Sequence, residues 1–392
     1  MNAEFLARLV QAQTEEEKDW LLAELSLSVL SPELREMALA AAVPRWFDAN
    51  ILGALQPDLA QRAEALYLQL QHLPFVEVFP DRGYNIHERT RKAMLNHLWA
   101  TDEEAFKQFS QRLVDYFGAE NTTNRIEQIY HAVAADFEAG SSQFEQYIWE
   151  LDGNFRRGEA EALLAAVQEQ VEAEWVPSRF AADVIYWFGK IHFRFYEADE
   201  ALERYDRALK LYEQVGANLG KANTLKAIGD VLQFLDRCDE ALERYDRALK
   251  LYEQVGAKLG KANTLIAIGD VLQFLKRCEE ALEHYDRALK LYEQVGAKLG
   301  KANTLIAIGD VALANEQYSE ALQYYHRALA LVEQIHDLYS TARVWYYIGK
   351  AGAAQGNKPE AILAFTTAAS IFRSIKLEDS AQFCEGAIEE IE

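Results

Sequence analysis

The chain has 392 residues, half of them apolar, and 62 Asp and Glu against 40 Lys and Arg, for a formal charge of −22; that apolar share supports two or three domains with sizeable cores and excludes wholesale disorder. Nucleic acids and anionic membranes are both held through Lys and Arg, so a chain this acidic, with no concentrated basic patch, is expected to bind neither. No apolar run approaches a membrane span, the N-terminal "MNAEFLARLVQAQTEEEKDW" has no signal pattern, and three cysteines, two of them (Cys238 and Cys278) at equivalent repeat positions, make no disulfide framework, which implies a reducing, cytoplasmic setting.

In chain order, Thr14 with Glu17 reads as a capping box that opens a helix in "EEEKDWLLAEL". Ser31-Pro32 is an N-cap with proline at N1, starting "PELREMALAAAV", which Pro44 stops. Short helices are predicted at 47–54 and 58–71. "FVEVFPDRGYNIHERTRKAML" then predicts two short strands, a hairpin near 75–87, around a Pro-Asp-Arg-Gly turn, running into a helix. Three helices and a hairpin make a winged-helix layout over 31–100, behind N-terminal helices at 1–30. Residues 101–178 read as a helical connector with degenerate repeat character, and Trp175-Val-Pro177 leads into a regular array.

Residues 197–236, 237–276 and 277–316 are near copies with a period of 40, flanked by weaker copies. Such a period marks a stacked repeat protein. Each unit predicts two amphipathic helices. In one, Ala241, Leu242, Tyr245, Ala248, Leu249 and Tyr252 form an apolar stripe, and Glu243/Arg247 and Asp246/Lys250 are spaced as i, i+4 pairs. Gly256 suits a left-handed cap after it. In the other, "GKANTLIAIGDVLQFL", Leu265, Ile268 and Leu272 line the buried face. Gly269 sits mid-helix in every copy, where glycine is unfavourable, so the partner helix is expected to approach too closely for a Cβ. The recurring "VGAKLGKANTL" superficially suggests a phosphate loop. A Walker loop needs four residues between its glycines, Ser or Thr after the Lys and a preceding strand; here Gly256 and Gly260 are separated by three, Ala262 follows Lys261, and a helix precedes. No nucleotide or other cofactor is expected.

The apolar-Gly-Asp sequence, Ala241 and the aromatic Tyr245 resemble the tetratricopeptide repeat, in the long-repeat form of kinesin light chains, Leu-Gly-Asn-repeat polarity adaptors and bacterial regulators. The resemblance implies an all-α solenoid of five repeats over 179–377 and a capping helix at 378–392. The region 31–100 resembles the winged-helix domain of the signal-transduction ATPases with numerous domains. In that family a Met-His-Asp motif touches bound ADP; Ile86-His87-Glu88 matches loosely, and the ATPase core is absent. The fold expected is therefore mainly all-α, with an N-terminal helical and winged-helix domain holding one small hairpin, similar to stand-alone bacterial and cyanobacterial repeat proteins.

A winged helix raises DNA binding, but the helix that would enter the groove, "DLAQRAEALYLQLQH", offers Arg62 alone, and Arg89, Arg91 and Lys92 have acidic neighbours. No zinc motif and no nucleophile with an assigned base occurs. His284 replaces Arg244 of the preceding copy and is expected to be exposed. The stronger signal is a set of ladders along the first helices of the repeats, spaced by roughly 10 Å. Asp230, Asp270 and Asp310 form one; Asn223, Asn263 and Asn303 a second; Lys226, Ile266 and Ile306 a third; Phe193, Gln233 and Gln273 a fourth, with Phe234 and Phe274 beside it. Tyr186, Lys190 and Arg194 stand at one end, and Arg343, Tyr346 and Lys350 at the other. In the polarity adaptors an asparagine after the glycine grips ligand backbone. Aspartate there keeps an acceptor and removes a donor, favouring ligands with amide or cationic donors. The expected function is a non-enzymatic adaptor or sensor whose concave groove binds a partner protein or peptide. The alternatives are a ligand-responsive transcriptional or signalling regulator using the winged helix, and a hydrolase with an unrecognised site. The oligomeric state is open.

Overall fold

The computed structural model describes residues 3–118 and 122–391. Among them are 21 α-helices and one two-stranded sheet, and the fold is 81% helical. The chain divides into two compact units, 1–191 and 192–392.

The first unit begins with α1 (Ala3–Gln11) and α2 (Glu15–Ser28). The capping box at Thr14 is formed, with Glu17 N–H donating to the Thr14 hydroxyl at 3.1 Å and Thr14 N–H to the Glu17 carboxylate at 3.4 Å. Ser31 caps α3 (Pro32–Ala40), and Asp48 caps α4 (Ala49–Leu55). The single helix expected at 58–71 is two elements, a 3-10 helix Pro57–Arg62 and α5 (Ala63–Leu70). The tighter winding shows in Leu59 N–H bonding back three residues to Gln56. The hairpin is β1 (Val76–Phe79) and β2 (Gly83–Ile86), antiparallel, with Val76 opposite Ile86. Asp81 and Gly83 take positive φ at its turn. A Cβ on Gly83 would stand 2.5 Å from the Phe47 carbonyl oxygen, so only glycine lets Phe47 bridge to Tyr84.

Five helices complete the unit up to its boundary: α6 (Glu88–Thr101), α7 (Glu103–Phe117), α8 (Thr122–Ala135), α9 (Phe137–Gly153) and α10 (Arg157–Glu172), followed by most of α11 (Ser178–Arg194). Met37, Phe47, Ile51, Leu55, Leu70, Met94, Phe106 and Leu113 share one core, so α7 packs with the elements of the 31–100 segment. Beside that core lies a buried polar network. Arg91 donates to the carbonyls of Val43 and Pro44 at 3.2 Å and pairs with Glu169. The Tyr130 hydroxyl donates to Glu169 at 2.9 Å, and Arg45 meets fully buried Glu127 at 2.6 Å. A buried carboxylate is stable only when its oxygens are satisfied, and these are.

The second unit is built of helices of 17 or 18 residues joined by short links, which accounts for the period of 40. These are α12 (Ala198–Gln214), α13 (Asn218–Phe234), α14 (Cys238–Gln254), α15 (Lys258–Phe274), α16 (Cys278–Val295), α17 (Lys298–Ala314), α18 (Tyr318–Gln334), α19 (Leu338–Gln355) and α20 (Lys358–Ser374), closed by α21 (Glu378–Glu389). The odd-numbered helices up to α19 are the first, or A, helices of the pairs, and the even ones up to α20 the B helices. Gly216, Gly256 and Gly296 take left-handed φ after B helices, the conformation foreseen for Gly256. After A helices the same conformation falls on Asp236, Lys276 and Glu316. Ala241, Tyr245, Ala248 and Tyr252 are buried on α14, and Leu265, Ile268 and Leu272 on α15. Among the described residues the i, i+4 pairs of α14 are not closed. The ion pairs are Arg237 with Glu240 at 2.7 Å, opening the helix, and Lys261 with Glu253 at 2.8 Å, tying α15 to the helix before it. α21 covers α20 with Ala381 and Cys384, against Ala368 and Phe372.

Candidate functional site

The aspartate ladder lies on A helices that stack directly on one another, α13 on α15 and α15 on α17. Each aspartate is held by a tyrosine hydroxyl from the B helix of its own pair. Tyr245 donates to Asp230 at 2.9 Å, Tyr285 to Asp270 at 2.7 Å and Tyr325 to Asp310 at 2.6 Å. Tyr252 donates likewise to the Asn223 side-chain oxygen at 2.7 Å, and Tyr292 to Asn263 at 2.5 Å. The pattern follows from helix geometry. Asn223 and Asp230 are two turns apart on one face of α13, Tyr245 and Tyr252 two turns apart on α14, and the helices are antiparallel.

Glycine makes room for the rings. A Cβ on Gly269 would lie 2.4 Å from Tyr285 Cε1, and one on Gly260 2.4 Å from Tyr252 Cε1. Where the ring is missing, the glycine changes with it. Val332 stands where the preceding copy has Tyr292, Ser340 where it has Gly300, and the Asn303 side-chain oxygen is buried without a partner. Phe365, with no hydroxyl, stands where Tyr325 would, and there Lys350 replaces the aspartate. The tyrosines were legible in the sequence only as part of an apolar stripe. Their recurrence every 40 residues, in step with glycine and Asp or Asn, is the signal that marks them as positioning groups.

The second oxygen of Asp230 bonds to Lys226 at 2.6 Å. Asp270 and Asp310 have no such partner among the described residues, and Asp270 faces Asp230 and Asp310 on either side. Burial, and then those neighbours, push its carboxyl up to about 6, against the Tyr285 hydrogen bond and Lys226, which pull it down. Burial raises Asp310 as well, opposed by Tyr325, Lys350 and Arg343. Asn223 and Asn263 are exposed, and among the described residues their amide nitrogens make no hydrogen bond.

The remaining ladder positions divide. Gln233 and Gln273 are half-buried, their side-chain oxygens 2.9 and 3.0 Å from the hydroxyls of Tyr245 and Tyr285, which they share with the aspartates. Phe234 and Phe274 are exposed, and Phe193 stacks edge-on against Phe234 at 5.9 Å. Ile266 is half-buried. Ile306, expected on the open surface, is buried at 4% exposure within the core of the last repeats, against which Tyr347 of α19 packs where the preceding copy has Ala307. Arg343 lies over Tyr339, Lys350 over Tyr347, and Tyr346 against Phe365 and Phe383. Arg194 is half-buried at the end of α11. Tyr186 and Lys190 fall in the first unit, where Lys190 is bonded to Asp152 at 2.9 Å and sits over the Trp149 ring at 3.7 Å. The two ends therefore differ from the symmetric basic pair expected. Lys190 and Lys226 are held by their own chain, whereas Arg343 and Lys350 make no ion pair among the described residues. His284 is half-buried rather than exposed, its Nδ1 without a partner.

The tetratricopeptide-repeat family profile matches four overlapping windows, 181–254, 221–294, 260–334 and 300–374. These repeats are tetratricopeptide repeats. No curated protein sequence matches the chain. Solved structures similar to it include BtubC (BKLC) from P. vanneervenii, at 16% identity over 68% of this chain and 92% of that one, with a TM-score of 0.44. A tetratricopeptide-sensor STAND protein, PH0952 from Pyrococcus horikoshii, is 14% identical over 98% of this chain and 66% of that one, with a TM-score of 0.47. Aspartyl phosphate phosphatase F from Bacillus subtilis is 12% identical over 93% and 95%, with a TM-score of 0.49. In the tetratricopeptide array, no group of three or more His, Cys, Asp or Glu among the described residues could hold a metal ion, and no helix is long and apolar enough to cross a membrane.

Proposed function

We propose that the chain is a non-enzymatic adaptor whose tetratricopeptide groove holds an extended segment of a partner protein. The observation that carries this is the paired presentation on α13 and α15 of an asparagine amide donor and a carboxylate acceptor, each fixed from behind by a tyrosine. Preorganised polar groups of this kind hold a ligand's main-chain carbonyls through the asparagine amides, and its amide or cationic donors through the carboxylates, without a further ordering cost. The exposed rings of Phe234 and Phe274 add apolar contact. The segment that fits has hydrophobic anchors and a Lys or Arg opposite Asp270. An acidic residue suits only the end at Arg343 and Lys350. The elements of 31–100 are assigned to docking a second protein surface, since Arg89 is bonded to Asp19 at 2.6 Å, Lys92 lies 3.9 Å from Glu16, and Arg62 and Arg91 pair with Glu33 and Glu169.

The test is affinity capture from native lysate with the wild-type chain and with the triple variant Asp230→Asn, Asp270→Asn, Asp310→Asn, which keeps every acceptor for the tyrosines. A partner bound directly by the wild type should bind the variant at least tenfold more weakly, a loss of about 1.4 kcal/mol or more. Equal recovery of every partner by both would overturn the groove assignment.

A further inference from the structure

Each link from a B helix to the next A helix leaves two apolar side chains uncovered on one edge of the array. Val255 and Leu259 are 41% and 51% exposed, and the same two positions recur as Val215 and Leu219, Val295 and Leu299, and Ile335 and Tyr339, none below 36%. They belong neither to the buried stripes nor to the aspartate ladder. At the usual interhelix spacing of about 10 Å the four links make a continuous row. Monomeric proteins rarely leave apolar patches of more than a few hundred Å² uncovered.

Charge sets this edge apart. The four links on it, residues 213–221, 253–261, 293–301 and 333–341, carry five acidic and five basic residues. The four links on the opposite edge, 193–201, 233–241, 273–281 and 313–321, carry ten acidic and four basic. Two copies of a chain with a net charge of −22 repel over most of their surface. They can approach only where the local charge cancels, and the apolar row lies on such a surface. The repeat period supplies the second condition. A two-fold interface requires a surface that matches itself, and a row of equivalent links does so. An axis between the links at 255 and 295 sets each against the other and sets 215 against 335. Four links of two half-exposed apolar side chains each are on the scale of the centre of a standard interface, about 800 Å² per partner.

We propose that this edge is the interface of a two-fold homodimer of the chain. It is independent of the groove. Sedimentation equilibrium of the full chain over roughly 1 to 100 μM, the range of ordinary specific association, should show a dimer. The double variant Leu259→Lys, Leu299→Lys should weaken it at least a hundredfold with an unchanged helical circular dichroism spectrum. Leu259→Ser, Leu299→Ser serves if the lysines disturb folding. Phe234→Lys, Phe274→Lys, on the opposite edge, should leave the dimer intact. A wild-type monomer throughout that range overturns the proposal, even if another protein proves to bind this edge. So does a dimer indifferent to the leucine variants or dissolved by the phenylalanine ones.

Discussion

Among the described residues Asp270 has no cation of its own, because Lys226 is bonded to Asp230 and the basic groups of α19 lie toward Asp310. Its carboxyl titrates near 6 in the folded chain against an ordinary 3.8. A folded value above the unfolded one means that the protonated form favours folding. The stability this group contributes is complete below about pH 3.8 and is lost as the pH rises through about 6. Asp270→Asn keeps an acceptor for Tyr285 and removes the charge. At about pH 7.5 it should therefore be more stable than the wild type, by on the order of 1–3 kcal/mol, and the difference should close toward pH 4. Denaturant melts at the two pH values decide this, and identical wild-type and variant curves at the higher pH would show the carboxyl to be well solvated. Asp270→Ala is a different change. It takes away the charged acceptor of the Tyr285 hydroxyl and leaves an unfilled space beside it, so it should be less stable than Asp270→Asn. The ladder residues are thus part of the fold, which reading them as an open surface does not reveal.

At the scale of the helix pair, glycine and tyrosine form a socket. Gly260→Ser should destabilise by about 1–3 kcal/mol through the clash with the Tyr252 ring, and Tyr252→Val by a similar amount through the cavity it leaves. The double variant reproduces the Val332 and Ser340 combination of the last socket. Its cost should fall short of the sum of the singles by about 1 kcal/mol or more. Urea unfolding of the four proteins measures this coupling, and strict additivity would remove the socket. The need for a missing Cβ was legible at Gly269, because a glycine repeated in mid-helix has few other causes, but not at Gly260, which reads as the start of a helix. The hydroxyl partners were not, since a tyrosine inside an apolar stripe reads as core. Capping at Thr14 and Ser31 and the turn of the hairpin were legible because their causes are local. The left-handed Asp236, Lys276 and Glu316 carry no such mark. Nor does buried Arg91, whose partner Glu169 lies 78 residues away in sequence.

For the molecule as a whole, the acidity and the pairing of basic side chains lead to one expectation about nucleic acid. Arg62, Arg89, Arg91 and Lys92 each face a carboxylate of the same chain, so the segment offers a phosphate no patch of uncompensated positive charge. Random duplex DNA at about 50 mM salt should not bind at micromolar concentrations. Fluorescence anisotropy checks this, and an affinity that falls steeply with added salt would reverse it. The period and the helix faces of the repeats were legible from end to end, because every copy restates them. The tyrosine hydrogen bonds close within a single pair of helices, and each socket reaches only the next one. The chain between Asp236 and Arg277 can therefore be excised in register: α13 would then meet α16, with Tyr285 opposite Asp230 and Tyr292 opposite Asn223, every donor and acceptor intact. Recombination between such copies, which inserts or deletes whole periods, changes the length of the array without asking the protein to form any new contact.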